Sequence, residues 1–158
     1  PILWDGGALH WIREGWVSPQ SGDCLTPHAG ELAVLDPLAT HDIIKCADQL
    51  AKRWGATIIA KGPITWICSA GHSPLASHEG DPGMATAGVG DVLAGLVAGF
   101  LAQGLCGRDA ATLGVWIHSR AGKFAALAET SYCMTATSLL RQFPAAFKEC
   151  QESESTGL

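Results

Sequence analysis

Apolar residues along this chain follow two patterns, short continuous runs and longer segments with helical spacing. The clearest helical segment starts after Thr40, a good N-cap, and its apolar residues recur three or four positions apart until Gly55 ends it. The β-branched run at 56–60 is typical of a strand buried on both faces of a parallel sheet. Together the patterns predict strands over 2–4, 24–26, 56–60, 64–68 and 75–78, and helices over 8–14, 30–35, 40–54, 91–103, 108–127 and from Thr135 or Thr137 to Phe147, with Pro144 as a candidate break.

Strands that alternate with helices predict an α/β fold, in which a central, mostly parallel sheet is flanked by helices. The length of 158 residues suits one domain with a sizeable core, and the polar residues 151–158 are expected to form a flexible tail. Because the chain opens on a strand-like run without an initiator Met, we expect it to be a fragment or processed piece of a longer protein.

Composition and charge narrow the classes of partner. Hydrophobic residues make up 47% of the chain and charged residues 16%, which is typical of a globular protein rather than a disordered one. The net charge is -5 and there is no basic run, so neither nucleic acid nor a membrane is an expected partner. The longest apolar stretch, 92–105, is too short to span a bilayer. An anionic ligand would therefore have to be held by local devices such as backbone N–H groups.

The six cysteines are widely spaced and include no C-x-x-C pair. A disulfide scaffold is normally a shorter and more cysteine-dense chain, so we expect reduced thiols in a cytoplasmic protein, most of them core fillers. The spacing matches no zinc site, and no metal-binding residues are predicted.

The segment from Gly80 to Leu93 carries the most chemical information. Its small residues allow a close backbone approach to a ligand, and the helix that follows would aim its free N–H groups at the same point, which suits a phosphate. Asp91, in the first turn of that helix, is placed to take a proton from a hydroxyl that attacks the phosphate. The segment is neither a Walker A loop nor a dinucleotide fingerprint, and taken alone it also fits a capped, well-packed helix.

Two further turns favour a functional interpretation of that segment over a purely structural one. One runs from Lys61 to Thr65 between two predicted strands, where the lysine and the threonine could hold the ribose or phosphates of a nucleotide. The other runs from Thr26 to Glu31 and places His28 at a strand-to-helix turn. Each turn alone is compatible with an ordinary structural turn. His118, in the helix predicted over 108–127, is interpreted as a satisfied core histidine.

The three segments, in this order, resemble the NAD(P)H-hydrate dehydratase family of the ribokinase-like superfamily, often labelled a carbohydrate kinase. That family shows the patterns T-P-H-P-G-E, K-G-x-x-T and G-N-x-G-M-A-[ST]-x-G-x-G-D-V-L, which correspond here to 26–31, 61–65 and 80–93. The resemblance runs from Pro1 to about Phe147. It implies that residues 1–150 are the C-terminal part of a ribokinase-like layered domain.

The resemblance also implies an activity. Members of the family use ADP or ATP to phosphorylate the ring hydroxyl of hydrated NADH or NADPH, and loss of the phosphate then restores the cofactor, so the enzyme is classed as a lyase. Asp91 would be the catalytic base and, with His28, would contact the hydrated cofactor. Mg²⁺ would accompany the nucleotide without a dedicated protein cage, and the family forms homo-oligomers. The residues that match the family's nucleotide-binding positions are Lys61, Gly62, Pro63, Ile64, Thr65, Gly88, Val89 and Gly90.

Three departures from the family pattern keep alternatives open. Ala29 replaces a proline, Asp81 replaces an asparagine, and Gly7 replaces the second aspartate of a D-A-D-A-L pattern. One alternative is a small-molecule kinase of the same superfamily, acting on a carbohydrate or vitamin precursor. The other is a truncated, non-catalytic module that binds nucleotide, which the loss of the aspartate at Gly7 favours.

Overall fold

The computed structural model describes residues 1–36 and 42–155, which form alternating strands and helices as the apolar pattern predicts. The strands are β1 (Leu3–Trp4), β2 (Cys24–Leu25), β3 (Thr57–Ala60), β4 (Thr65–Ser69) and β5 (Leu75–Ser77). The helices are α1 (Ala8–Arg13), α2 (Ala29–Leu35), α3 (Ile43–Trp54), α4 (Val89–Ala102), α5 (Gly107–Glu129), α6 (Ala136–Arg141) and α7 (Phe143–Ser155), with a 3₁₀ turn at Pro82–Met84.

The strands form one five-stranded sheet in the order β1-β2-β3-β4-β5. Strands β1, β2 and β3 are parallel, whereas β4 and β5 add to the sheet in antiparallel pairs. The change of direction follows from the connection at 61–64, which is too short for the crossover that a parallel pair requires. The α/β prediction is confirmed, and the run at 56–60 is parallel to its neighbour on one side only.

Two groups of buried residues lie on the two faces of the sheet. Along β3, Ile59 belongs to the group packed under α4, α5 and α6, and Ile58 belongs to the group packed under α1, α2 and α3. Successive side chains of a strand point to opposite faces, so a strand covered on both sides needs an unbroken apolar run. The sheet therefore has helices on both faces, as in other layered α/β domains.

Most helix boundaries agree with the sequence to within two residues, and α4 begins at Val89 rather than at 91. Asp42 caps α3 by accepting a hydrogen bond from the Lys45 N–H, and the predicted cap Thr40 lies outside the described residues. Thr135 caps α6 through the Ser138 N–H, so that of the two predicted caps it is the one used. The last helix, predicted to run to Phe147 with Pro144 as a candidate break, is divided instead at Gln142, which separates α6 from α7. Pro144 lies in the first turn of α7, where a missing N–H is tolerated.

Helix α7 continues to Ser155, into the first part of the predicted tail, and the flexible tail over 151–158 stays a prediction. Across residues 1–36 and 42–155, no helix combines the length and the apolar character that a membrane span requires.

The thiols of Cys24, Cys46 and Cys68 are free and buried, as predicted for core fillers. Burial raises the pKa of the Cys24 thiol to about 12, which makes it unreactive. The prediction is wrong for Cys106 and Cys133, whose free thiols are exposed.

Helices α4 and α5 cross closely because a glycine lies at their contact. A Cβ placed on Gly114 of α5 would lie 2.6 Å from Cγ2 of Val97, a fully buried residue of α4. Valine is stiff at χ1 and cannot easily turn away. The small residue therefore sets how near α4 approaches α5.

We expect Gly114→Ala to lower the free energy of unfolding by about 1–3 kcal/mol, because the added methyl overpacks the α4–α5 contact. Gly95→Ala is the matched control, since a Cβ there would meet nothing within 4 Å. Alanine favours a helix interior over glycine, so the control should raise stability by about 0.5–1 kcal/mol. Urea unfolding measures both, and equal effects of the two variants would contradict the close packing at Gly114.

Candidate functional site

The carboxyl ends of the three parallel strands bring polar side chains together. Asp5 follows β1, Thr26 follows β2 and Lys61 follows β3. In open α/β sheets, ligands bind outside the carboxyl ends of the strands, so this edge is the expected place for a site. The N-terminus of α4 also arrives at this edge, because Gly90 in its first turn lies against the Lys61 side chain.

His28 lies at this edge as the N-cap of α2. Its Nδ1 accepts a hydrogen bond from the Glu31 N–H at 3.2 Å, while Glu31 Oε2 accepts one from the His28 N–H at 2.8 Å. This reciprocal capping box holds the turn even though Ala29 replaces the proline of the family pattern. Because Nδ1 acts as an acceptor, the neutral ring carries its proton on Nε2. The side chain is 60% exposed, and its Nε2 lies 3.6 Å from Glu31 Oε2.

Lys61 connects the strand edge to α4. Its backbone N–H donates to the Pro27 carbonyl at 2.8 Å, and it forms an isolated parallel bridge with His28. Its Nζ donates to Asp5 Oδ1 at 3.0 Å and lies 3.9 Å from Glu31 Oε2. A Cβ placed on Gly90 would lie 3.4 Å from the same Nζ, so the ammonium group lies against the first turn of α4.

Helix α4 begins with a left-handed residue and an exposed acid. Gly88, at φ 85°, is its N-cap, and Asp91 lies in its first turn with an exposed side chain. A φ in this range favours glycine, which explains that position of the G-x-G-D pattern. The Val89 N–H donates to the Thr86 carbonyl at 3.2 Å. By helix geometry the next N–H groups, those of Gly90 and Asp91, are the ones directed toward a ligand.

His118 holds the start of α4 from the buried side of that helix. The side chain is buried, and its Nε2–H donates to the Val89 carbonyl, with 3.0 Å between nitrogen and oxygen. Burial lowers its pKa to about 4, so the ring is neutral at pH 7. These contacts are those of a satisfied core histidine, as predicted.

Asp81 shows how the glycine-rich segment accommodates an extra carboxylate. Its Oδ1 accepts the Gly83 N–H at 2.8 Å and its Oδ2 accepts the Ser131 hydroxyl at 3.0 Å. A Cβ on Gly83 would lie 2.4 Å from the Ser131 carbonyl oxygen, so glycine is required there. Both Asp81 oxygens are therefore engaged, one within the loop and one by the segment that follows α5.

The remaining predicted nucleotide residues lie in the connection between β3 and β4. Gly62, Pro63 and Ile64 are exposed, and Thr65 begins β4 opposite Ser77. Of the residues 61–65, the contacts bring Lys61 to the first turn of α4. The part of these residues in nucleotide binding stays a prediction.

Sequence reasoning missed that Asp5 and Glu31 both approach Lys61, although the position of Asp5 directly after a parallel strand was a usable signal.

No metal centre accompanies these residues. Within residues 1–36 and 42–155, no three His, Cys, Asp or Glu side chains lie close enough together to hold a metal ion. If Mg²⁺ takes part, it would bind chiefly through nucleotide phosphates and water, as this hard cation commonly does.

Comparison with known proteins places these residues in a family. The family profile described as NAD(P)H-hydrate dehydratase matches residues 1–145. This chain belongs to that family. The resemblance noted from the three turns is confirmed.

Among curated relatives, the Bifunctional NAD(P)H-hydrate repair enzyme Nnr of Moorella thermoacetica is 38% identical over 136 residues, which are 84% of this chain and 26% of that protein. The ADP-dependent (S)-NAD(P)H-hydrate dehydratase of Cenarchaeum symbiosum is 36% identical over 129 residues, 78% of this chain and 44% of that protein. The chain thus spans less than half the length of either relative.

Solved structures share the fold. A ribokinase-like superfamily protein from Enterococcus faecalis matches with a TM-score of 0.80 and 32% identity, over 93% of this chain and 52% of that one. The ADP/ATP-dependent NAD(P)H-hydrate dehydratase from Bacillus subtilis, co-crystallised with ATP/Mg²⁺, has a TM-score of 0.80 at 21% identity, over 94% of this chain and 55% of that one. The ribokinase-like fold is therefore confirmed.

The buried His118 makes stability depend on pH. Its pKa is about 4 in the folded chain, against 6.5 for an ordinary exposed histidine, so the unfolded chain takes up the proton first as pH falls. Stability is therefore expected to drop by about 3 kcal/mol as pH falls from 6.5 through 4. His118→Gln keeps a donor for the Val89 carbonyl and removes this titration.

Urea unfolding at several pH values between about 4 and 7 measures the effect as the difference between wild type and His118→Gln. The exposed His10 provides the control, and His10→Gln should leave the wild-type slope unchanged. Parallel pH profiles for wild type and His118→Gln would contradict the role of burial.

Proposed function

We propose that the full-length protein carrying this chain catalyses ADP- or ATP-dependent dehydration of NAD(P)H hydrate to NAD(P)H. The observation that carries the proposal is that the Lys61 ammonium lies against the first turn of α4, the same turn that carries the exposed Asp91 carboxylate. A cation and a helix N-terminus attract a phosphate, and a carboxylate beside them can receive a proton. The named activities of the curated relatives support the same chemistry.

In the first step, the ring hydroxyl of the hydrated cofactor attacks the terminal phosphorus of the nucleotide. Asp91 takes the hydroxyl proton as the new O–P bond forms, and the bond to the leaving nucleotide breaks, which releases AMP from ADP or ADP from ATP. In the second step, phosphate and a ring proton leave, and the dihydronicotinamide is restored. The nucleotide supplies the free energy, and the protein supplies position and charge.

The other site residues take supporting roles in this proposal. Lys61 and the free N–H groups in the first turn of α4, which follows Gly88, would stabilise negative charge on the transferred phosphoryl group. Of the predicted segment Gly88–Val89–Gly90, the Val89 N–H is already donated to the Thr86 carbonyl, so the Gly90 N–H is the more favourable donor. His28, whose side chain is 60% exposed, would contact the hydrated cofactor. The connection at 62–65 borders the nucleotide. Mg²⁺ would neutralise charge on the nucleotide phosphates.

The proposal extends to the setting of the enzyme. Free thiols such as those of Cys24, Cys46 and Cys68 suit the reducing cytoplasm, and a net charge of -5 does not favour nucleic acid or an anionic membrane. Exposed apolar side chains support self-association into a homo-oligomer, and they include Trp16, Leu127 and Tyr132.

The decisive test is Asp91→Asn, assayed by recovery of NADH absorbance from hydrated NADH with ADP or ATP. We expect the rate to fall about 10²- to 10⁴-fold, because the amide cannot accept the hydroxyl proton, while nucleotide binding persists. Asp109→Asn is the matched control, since Asp109 is also an exposed acid in the first turn of a helix, at the far end of the α4–α5 connection.

Recovery at the wild-type rate with Asp91→Asn would refute the catalytic base. Nucleotide binding without turnover would instead favour the non-catalytic module, and phosphorylation of a different small molecule would favour the kinase alternative.

A further inference from the structure

Asp5 is a mostly buried carboxylate at the proposed phosphate site, and the proposed chemistry gives it no task. Its side chain is 18% exposed, and one oxygen, Oδ1, accepts both the Thr26 hydroxyl at 2.6 Å and the Lys61 ammonium at 3.0 Å. We propose that Asp5 is a positioning residue that, together with Thr26, holds the Lys61 ammonium against the first turn of α4 and so preorganises nucleotide binding. Because this role concerns the same site, it rests on the proposed function.

Thr26 makes Asp5 a fixed anchor rather than a mobile one. Thr26 is fully buried, and its N–H donates to the Trp4 carbonyl at 3.1 Å, which sets the pairing of the two strand ends. Its hydroxyl then donates to Asp5 Oδ1, so the carboxylate is held from the strand next to its own. A buried hydroxyl with a charged acceptor makes one of the stronger hydrogen bonds in a protein.

Lys61 needs such an anchor because the hydrogen bond that fixes its backbone does not fix the ammonium group of its side chain. The backbone is fixed by the Pro27 carbonyl, but four flexible methylene groups separate it from the ammonium. A second carboxylate, Glu31, lies 3.9 Å from Nζ on the side of α2. Without Asp5, Glu31 would be the remaining anionic neighbour and would draw the ammonium toward the His28 cap, away from Gly90.

The direction in which removal of Asp5 changes nucleotide affinity distinguishes a positioning role from simple charge repulsion. A carboxylate near a phosphate repels it, so deletion of Asp5 should tighten nucleotide binding if its charge is all that matters. If Asp5 orients Lys61, the same deletion should weaken binding, because the ammonium must then be ordered when the nucleotide arrives. Asparagine keeps an oxygen acceptor for Thr26 and Lys61 and removes the charge.

The test is ADP binding to the full-length protein, measured by titration calorimetry for wild type, Asp5→Ala and Asp5→Asn. We expect Asp5→Ala to weaken ADP binding about 5- to 10-fold and Asp5→Asn to bind as tightly as wild type or more tightly. In turnover, Asp5→Ala should raise the KM for nucleotide more than it lowers kcat.

Asp48→Ala is the matched control. Asp48 also pairs with a lysine, Lys52, but on the exposed side of α3, and its removal should leave ADP affinity unchanged. If Asp5→Ala does not fold, Thr26→Val removes the hydroxyl that orients Asp5 at nearly constant volume, and it should weaken ADP binding in the same direction by about threefold.

ADP affinity that is unchanged or tighter in Asp5→Ala or Thr26→Val, at an unchanged melting temperature, would overturn the positioning role. Failure of the positioning role of Asp5 is distinguishable from failure of the proposed function, since ADP binding and turnover are measured separately. A wild type that binds ADP but leaves hydrated NADH unchanged would refute the function alone. Normal turnover with equal ADP affinity in wild type and Asp5→Ala would refute the role of Asp5 alone.

Discussion

The placement of the α4 N-terminus against the carboxyl edge of the parallel strands is the constraint on which the rest of the site depends. It is fixed from three directions: by the left-handed turn at Gly88, by the hydrogen bond from His118 to the Val89 carbonyl, and by the close contact between Val97 and Gly114. A shift of α4 would separate Gly90 from the Lys61 ammonium. The proposed phosphate site would thus depend on helix packing for the position of the α4 N–H groups and on the end of β3 for the Lys61 charge.

The elements of this fold follow from local sequence because the pattern of burial is local. In β3, Ile58 and Ile59 face different cores. A strand that is covered on both faces needs apolar residues at successive positions, and such a run is the pattern that predicts the strand. The motif turns were found because their backbone needs are local as well, as with the positive φ of Gly88. The apolar pattern within each strand did not show that β4 runs antiparallel to β3. That direction is imposed by the short connection between the two strands, which begins at Lys61.

The contacts that complete the site join residues far apart in the chain. Lys61 and Asp5 are separated by 56 positions, Asp81 and Ser131 by 50, and the His118–Val89 pair by 29. Periodicity and propensity report which face of an element is buried, but not which side chain of a distant element meets it. The partners of Lys61 could therefore be recognised only once β1, β2 and β3 were placed side by side.

The distribution of charge explains how an acidic chain can favour a phosphate. Asp81 is engaged by the Gly83 N–H and the Ser131 hydroxyl, and burial keeps His118 neutral. The Asp5 carboxylate balances the Lys61 ammonium without capturing all of its three donors, since an ammonium can also donate toward α4. In the proposed site, attraction for a phosphate would then come from an oriented cation and a helix N-terminus, at short range, rather than from the overall field of the protein. Asp91 lies in that same first turn of α4, so the N–H groups that would hold the phosphate and the carboxylate that would accept the proton are carried by one helix, while Lys61 adds its charge from the end of β3.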